Sequence, residues 1–149
     1  METVQTIVVP VDFSENTEKL VDYALGMGKA LSATLHFVHA VAIYTGDGMF
    51  GMPYSNEFLA DFEVNAKQRM TNLVSDVQRT CPDCTGEVVV GDPVEKIVEY
   101  ATAKEADMII ISTHGAKGLE KILLGSVTER VVKRAHCPVL ALNPFRKTK

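Results

Sequence analysis

The sequence predicts an α/β fold, an open, doubly wound sheet of five parallel strands with four helices covering its two faces. Three observations point to it. Segments with strand-like and helix-like patterns alternate along the whole chain. The first of them, Thr6 to Val11, is β-branched or apolar at successive positions, as in a strand buried on both faces. Finally, Ile109 to Pro138 carries an apolar run of strand length into a glycine-bearing loop and then into an amphipathic helix. Such strands are joined by right-handed crossovers.

Taken in order, the first strand leads to Ser14, a residue suited to cap a helix. Leu20, Ala24, Met27 and Leu31 then recur at helical spacing. Thr34 to Ala40 reads as the second strand, followed by a glycine-rich stretch from Thr45 to Pro53 with the composition of a mobile loop. Leu59, Phe62, Ala66, Met70, Leu73 and Val77 mark a long helix. A strand at Gly86 to Val90, a helix at Pro93 to Lys104, a strand at Met108 to Ser112, a helix from Ser126 and a last strand at Val139 to Leu142 complete the series. Asp92, Pro93 and Glu95 are helix-starting chemistry, with an N-cap carboxylate, proline in the first turn and an acid behind it.

The length of 149 residues fits one domain, 1–149, without staples, and neither a composition shift nor an internal repeat divides it. No apolar run approaches the ~20 residues that span a bilayer, and Met1 to Gln5 lacks the pattern of a signal peptide, so a cytoplasmic protein without membrane contact is expected. A net charge of -4 argues against nonspecific nucleic-acid binding, which depends on Lys and Arg neutralising phosphates. Lys117, Lys121, Arg130, Lys133 and Arg134 form a local exception, and beside Glu120 and Glu129 they read as a solvated helix face. Three cysteines, an odd number, suit a reducing compartment better than a disulfide framework. Cys81-Pro82-Asp83-Cys84 follows a helical pattern instead of opening one, and is read as a turn that happens to hold two thiols.

The chemistry concentrates after the fourth strand. Backbone N–H groups at a helix start lack partners and carry partial positive charge, so Gly125-Ser126 offers a seat for an anion such as phosphate. The loop is not a Walker A motif, because neither Gly118 nor Gly125 precedes a lysine, and its glycines are spaced too widely for a dinucleotide fingerprint. Ser126-Val127-Thr128-Glu129 also fits a capping box, which would leave the serine a purely local role. In open parallel sheets ligands bind beyond the carboxyl ends of the strands, which directs attention to Pro10 to Ser14, His39 to Val41, Gly91 to Pro93 and Ser112 to Gly115. Asp12 leaves a buried strand there and suits a ribose diol, or equally the backbone N–H groups of the first helix. His114 is read as part of the ligand loop. His36 lies within a strand, His136 in a helix C-terminal turn, and His39 at a strand end with no carboxylate or cysteine cluster that would make a metal site.

Four ordered motifs, PVDFS at Pro10 to Ser14, LHFVHAV at Leu35 to Val41, GDPVEKIVEYA at Gly91 to Ala101 and STHGAKGLEKILLGSVTERVVKRAHCPVL at Ser112 to Leu140, resemble the universal stress protein family over almost the whole chain. The resemblance implies a Rossmann-like sheet of strand order 3-2-1-4-5. The family's nucleotide-binding branch carries Gly, two residues, Gly, nine residues, then Gly-Ser or Gly-Thr. Gly115, Ala116 to Leu124 and Gly125-Ser126 match this pattern, while Ser112 replaces the first glycine, at a conformational cost if the backbone there needs positive φ. By the resemblance Asp12 holds the ribose, backbone groups beside Pro10, Val11 and Ala40 meet adenine, and Ile111 and Ser112 line the nucleoside pocket. Gly115, Gly125, Ser126 and Val127 surround the phosphates of ATP, with His114 and Gly118 in the same ligand loop; a magnesium ion could sit between those phosphates and Asp12. A homodimer through the edge strand Val139 to Leu142 is implied as well.

The leading expectation is therefore an ATP-binding stress or signalling protein that acts through nucleotide-dependent shape or partners, the Thr45 to Pro53 loop being a candidate moving part. No general base or arginine finger stands in the loop, so efficient hydrolysis is not expected. The alternative kept open by Ser112 is a dimeric interaction module of the same family without ATP. An adenylyl-transferring enzyme would need a catalytic loop not found here, and a response regulator would need an acidic cluster where Gly91-Asp92-Pro93 stands in capping context.

Overall fold

A computed structural model describes residues 3–43, 56–114 and 124–145. Its strands are β1 (Thr6–Pro10), β2 (Thr34–Val41), β3 (Thr85–Val90), β4 (Met108–Ser112) and β5 (Val139–Leu142). They alternate with helices α1 (Thr17–Leu31), α2 (Asn56–Val77), α3 (Pro93–Ala103) and α4 (Ser126–Arg134). All pairings are parallel, in the order β3-β2-β1-β4-β5, as expected.

Because side chains alternate across a strand, each strand supplies both faces. Ile7, Val9, Leu35, Phe37 and Ile110 pack on one face beneath Leu20, Val21 and Ala24 of α1 and Met70 and Val77 of α2. Val8, Val38, Ile109 and Ile111 pack on the other, beneath Val94, Ile97 and Ala101 of α3 and Val131 of α4. The continuous apolar runs of β1 and β4 are thus those of central strands covered twice. Burying each such side chain contributes about 1.5–3 kcal/mol.

Two local readings are corrected. The cap of α1 is Asn16, not Ser14, and its side chain makes no capping bond. Ser14 acts a turn earlier, where its carbonyl accepts from Thr17 N–H (3.1 Å) and its hydroxyl from Asn16 N–H (3.3 Å). In α2 the helix is as expected, but its first apolar markers are not core: Phe62 is 51% exposed, and burial begins at Ala66. A helix of 22 residues is about 33 Å long. The six-residue strand beside it spans about 20 Å, so the start of α2 overhangs the sheet.

On the α3 face, His36 Nδ1 lies 2.6 Å from the Thr85 hydroxyl. Burial, and then the Lys104 ammonium, push its pKa below 6.5, against a weaker opposing pull from Glu87. The folded state therefore prefers the neutral ring, a contribution fully present above 6.5 and lost as pH falls through the lower folded value. The melting temperature is expected to fall between pH 7 and pH 5 more steeply in the parent than in His36→Gln, and equal slopes would count against this.

Candidate functional site

β1 and β4 are neighbours, yet α1 packs on one face of the sheet and α4 on the other. The helices that follow these two strands thus lie on opposite faces, which makes the carboxyl ends of β1 and β4 the topological switch point, the position where open α/β sheets bind ligands. The described site residues Pro10, Val11 and Asp12, and Ile111, Ser112, His114, Gly125, Ser126 and Val127, come from the β1–α1 and β4–α4 segments, and Ala40 from the adjoining end of β2. Gly115 and Gly118 lie outside the described residues, as do Lys117, Lys121 and the Thr45 to Pro53 loop.

On the β1 side, Pro10 and Val11 are buried, while Asp12 is exposed. Asp12 Oδ1 accepts from Ser14 N–H (3.0 Å) and from the Thr17 hydroxyl (3.3 Å). Its other oxygen, Oδ2, makes no hydrogen bond among the described residues, so the local role and a ligand role coexist on one carboxylate. Phe13 has φ 56°, a left-handed conformation that a bulky residue adopts at a cost, and such strain gathers at functional sites. Its ring lies 4.7 Å from that of His39. His39 Nδ1 in turn donates to the Val11 carbonyl (2.7 Å), which fixes the proton on that nitrogen. Val11 N–H is bonded to the Val38 carbonyl (2.8 Å). Of Val11's backbone, only the second lone pair of the carbonyl is left for a base.

On the β4 side, Ile111 is 5% exposed and packs with α3 and α4. Ser112 has no positive φ, so the cost feared for a serine in place of glycine does not arise. Its hydroxyl instead donates to the His114 carbonyl (2.9 Å), and its own carbonyl accepts from the buried Thr128 hydroxyl (2.6 Å). That second bond ties the end of β4 to the first turn of α4. His114 is buried, its Nδ1 2.6 Å from the Thr113 hydroxyl and its ring edge-on to Phe145 at 5.0 Å. The segment after β5 is held there by Lys19 Nζ, which donates to the Pro144 carbonyl (2.9 Å).

α4 begins with Gly125 at its N-cap, and no side chain among the described residues caps it, so the capping-box role of Ser126 is corrected. Ser126 stands one residue inside, exposed, beside the backbone N–H groups of the first turn, which have no side-chain cap among the described residues. Gly125 N–H donates to the Thr113 carbonyl (2.7 Å), and an added Cβ would sit 2.8 Å from that oxygen. Further along α4, Lys133 pairs with Glu129 (2.9 Å) and Arg130 approaches Asp92 (3.9 Å), so these cations form a solvated face as expected. Asp92 itself caps α3, accepting from Glu95 N–H (2.9 Å).

The sequence did not disclose three contributors. His39, noted only at a strand end, orders Val11 and Phe13; Thr128 fastens β4 to α4; and Phe145 backs His114. Only the strand-end position of His39 could have signalled its part.

The profile of the universal stress protein family matches residues 3–143. Universal stress protein MJ0531 of Methanocaldococcus jannaschii is 32% identical over 145 residues, covering 95% of this chain and 83% of the relative. The structure of the universal stress protein UspA from Lactobacillus plantarum superimposes with a TM-score of 0.82 at 25% identity, covering 95% of this chain and 99% of the other. That of the universal stress protein from Archaeoglobus fulgidus in complex with dAMP superimposes with a TM-score of 0.66 at 22% identity, covering 94% and 98%, a likeness of fold.

Proposed function

This chain belongs to the universal stress protein family, and from that premise we propose that it is a cytoplasmic nucleotide-binding stress or signalling protein that takes ATP at the carboxyl ends of β1 and β4. The observation that carries the reading is the pairing of Asp12 Oδ2 with the start of α4 at the neighbouring strand end, both without a side-chain partner among the described residues. A carboxylate accepts from a ribose diol and a helix N-terminus receives phosphate, so the two ends suit the two ends of a nucleotide. The dAMP complex of the Archaeoglobus fulgidus protein supports an adenine nucleotide as the ligand. Asp12 also offers the carboxylate that a magnesium ion shared with the phosphates takes.

Asp12→Ala removes the ribose acceptor and the tie to Ser14 and Thr17 together, and is expected to weaken ATP about 10- to 150-fold, from the loss of one charge-assisted hydrogen bond of about 1.5–3 kcal/mol. Fluorescence titration with a labelled ATP checks this, and an unchanged affinity would remove Asp12 from the site. Mass spectrometry of gently purified protein is expected to find carried-over ATP or ADP.

We propose further that two copies pair through β5, one edge of the sheet, whose Val139, Leu140 and Leu142 remain half-buried in the single chain. Light-scattering chromatography at micromolar concentration is expected to give twice the chain mass, and a monomer would sink the pairing.

A further inference from the structure

At the far end of the sheet from the proposed nucleotide site, the turn between α2 and β3 holds a cystine. Cys81 and Cys84 are bonded, their Cα atoms 5.5 Å apart, which corrects the reading of this turn as two free thiols; Cys137 is the free cysteine. The spacing alone could not decide this, whereas the fold brings Cys84 back beneath the end of α2, where it packs in the same core cluster as Val77. We propose that Cys81–Cys84 is a thiol–disulfide exchange site for an external dithiol.

Two features of the turn support exchange over a permanent staple. First, its backbone closes without the sulfur bond. Thr80 and Cys81 N–H groups donate to the Val77 carbonyl (3.0 and 2.8 Å), Cys84 N–H to the Cys81 carbonyl (3.1 Å), and Gln78 Nε2 to the Cys84 carbonyl (3.0 Å). Reduction thus leaves the two thiols facing each other, and so short a loop restricts the unfolded chain little. Second, the two sulfurs are unequal. Cys84 is fully buried, while Cys81 is half-buried at the margin of that cluster, so an incoming thiolate reaches Cys81. Gln78, which bonds the Cys84 carbonyl, also lines a groove of about 600 Å³ between α2 and the edge strand β3.

The exchange follows. A thiolate of the dithiol attacks Cys81 Sγ, the Cys81–Cys84 bond breaks, and Cys84 leaves as a thiolate that takes a proton. The dithiol's second thiolate then attacks the sulfur joined to Cys81, forming the reagent's own disulfide and releasing Cys81, which is protonated. Two electrons and two protons pass to the protein. Full burial keeps Cys84 from meeting an external sulfur directly.

Protein purified without reductant, then denatured and alkylated, is expected to carry one alkyl group, on Cys137. Treatment of the folded protein with dithiothreitol before alkylation is expected to give three, with the far-ultraviolet circular dichroism retained, and oxidised glutathione is expected to restore one. Limiting reduced glutathione is expected to form a mixed disulfide on Cys81 of the parent, and oxidised glutathione is expected to form the same adduct on the free Cys81 thiol of Cys84→Ala, releasing reduced glutathione, where no Cys84 thiol can resolve it. The parent peptide map decides the point if that variant does not fold. Three alkyl groups in the unreduced protein, a cystine that dithiothreitol reaches only after unfolding, or a glutathione adduct on Cys84 would each overturn the proposal.

Discussion

Gly125→Val is expected to lower ATP affinity by at least about 100-fold, equivalent to about 2.8 kcal/mol, and to destabilise the fold by about 1–3 kcal/mol. The cause is space and not backbone conformation, since Gly125 has an ordinary φ of -59°. Its Cβ would meet the Thr113 carbonyl oxygen at 2.8 Å, where the Gly125 N–H now donates at 2.7 Å. That oxygen cannot yield easily, because Thr113 N–H is itself bonded to the Leu142 carbonyl at the end of β5 (2.8 Å). The start of α4 must move instead, carrying the N–H groups proposed to bind phosphate with it. Gly125→Ala shares the offending Cβ and is expected to lose most of the same affinity. Ser126→Ala is expected to leave stability unchanged, since Gly125 and not Ser126 stands at the N-cap. Titration with ATP alongside thermal melts separates these outcomes. A Gly125→Val protein that binds ATP like the parent would move the phosphate site away from α4.

Phe37→Ala is expected to cost about 3–5 kcal/mol, the usual range for deleting a buried aromatic ring. Phe37 is fully buried in the middle of β2, paired in register with Val9 on one side and Gly86 on the other. Its ring belongs to the cluster that both α1 and α2 cover, so neither helix can close the void without leaving its strand. Against a total stability of about 5–15 kcal/mol, the loss is a large fraction. Phe37→Leu keeps most of the volume and is expected to cost much less. Urea unfolding should show a shifted midpoint with an unchanged slope, and a loss below about 1 kcal/mol would mean that the cluster repacks.

The order of elements was legible because this sheet is buried on both faces, which leaves β1 and β4 as unbroken apolar runs that helices cannot imitate at that length. The strands Met108–Ser112 and Val139–Leu142 and the start of α4 fall where the pattern places them. Contacts set by packing between distant segments were not legible. Phe62 has the helical spacing of a core residue, but nothing in the spacing says that α2 outruns β3. Asn16 displaced Ser14 as the cap of α1 because the chain turns through Phe13 in a left-handed conformation, with Asp12 holding both Ser14 and Thr17.

The site divides along the same line. Strand ends are a property of topology, so Asp12, Ser112 and Gly125 could be singled out from the pattern alone. What each does depends on partners far away in sequence. Thr128 and Thr113 reveal that Ser112 and Gly125 lock β4 to α4, and His39 reveals that the Val11 carbonyl is already occupied. The serine that departs from the family's glycine pattern sits in ordinary backbone, with its hydroxyl bonded to the His114 carbonyl that follows.

The claim that the carboxyl ends of β1 and β4 hold an adenine nucleotide is tested most directly by calorimetric titration of the parent protein with ATP in the presence of magnesium. Saturable binding at one site per chain, competed by ADP, is the predicted result. No heat and no saturation with ATP, ADP or AMP at millimolar concentration would contradict it and leave the dimeric interaction module as the reading of this chain.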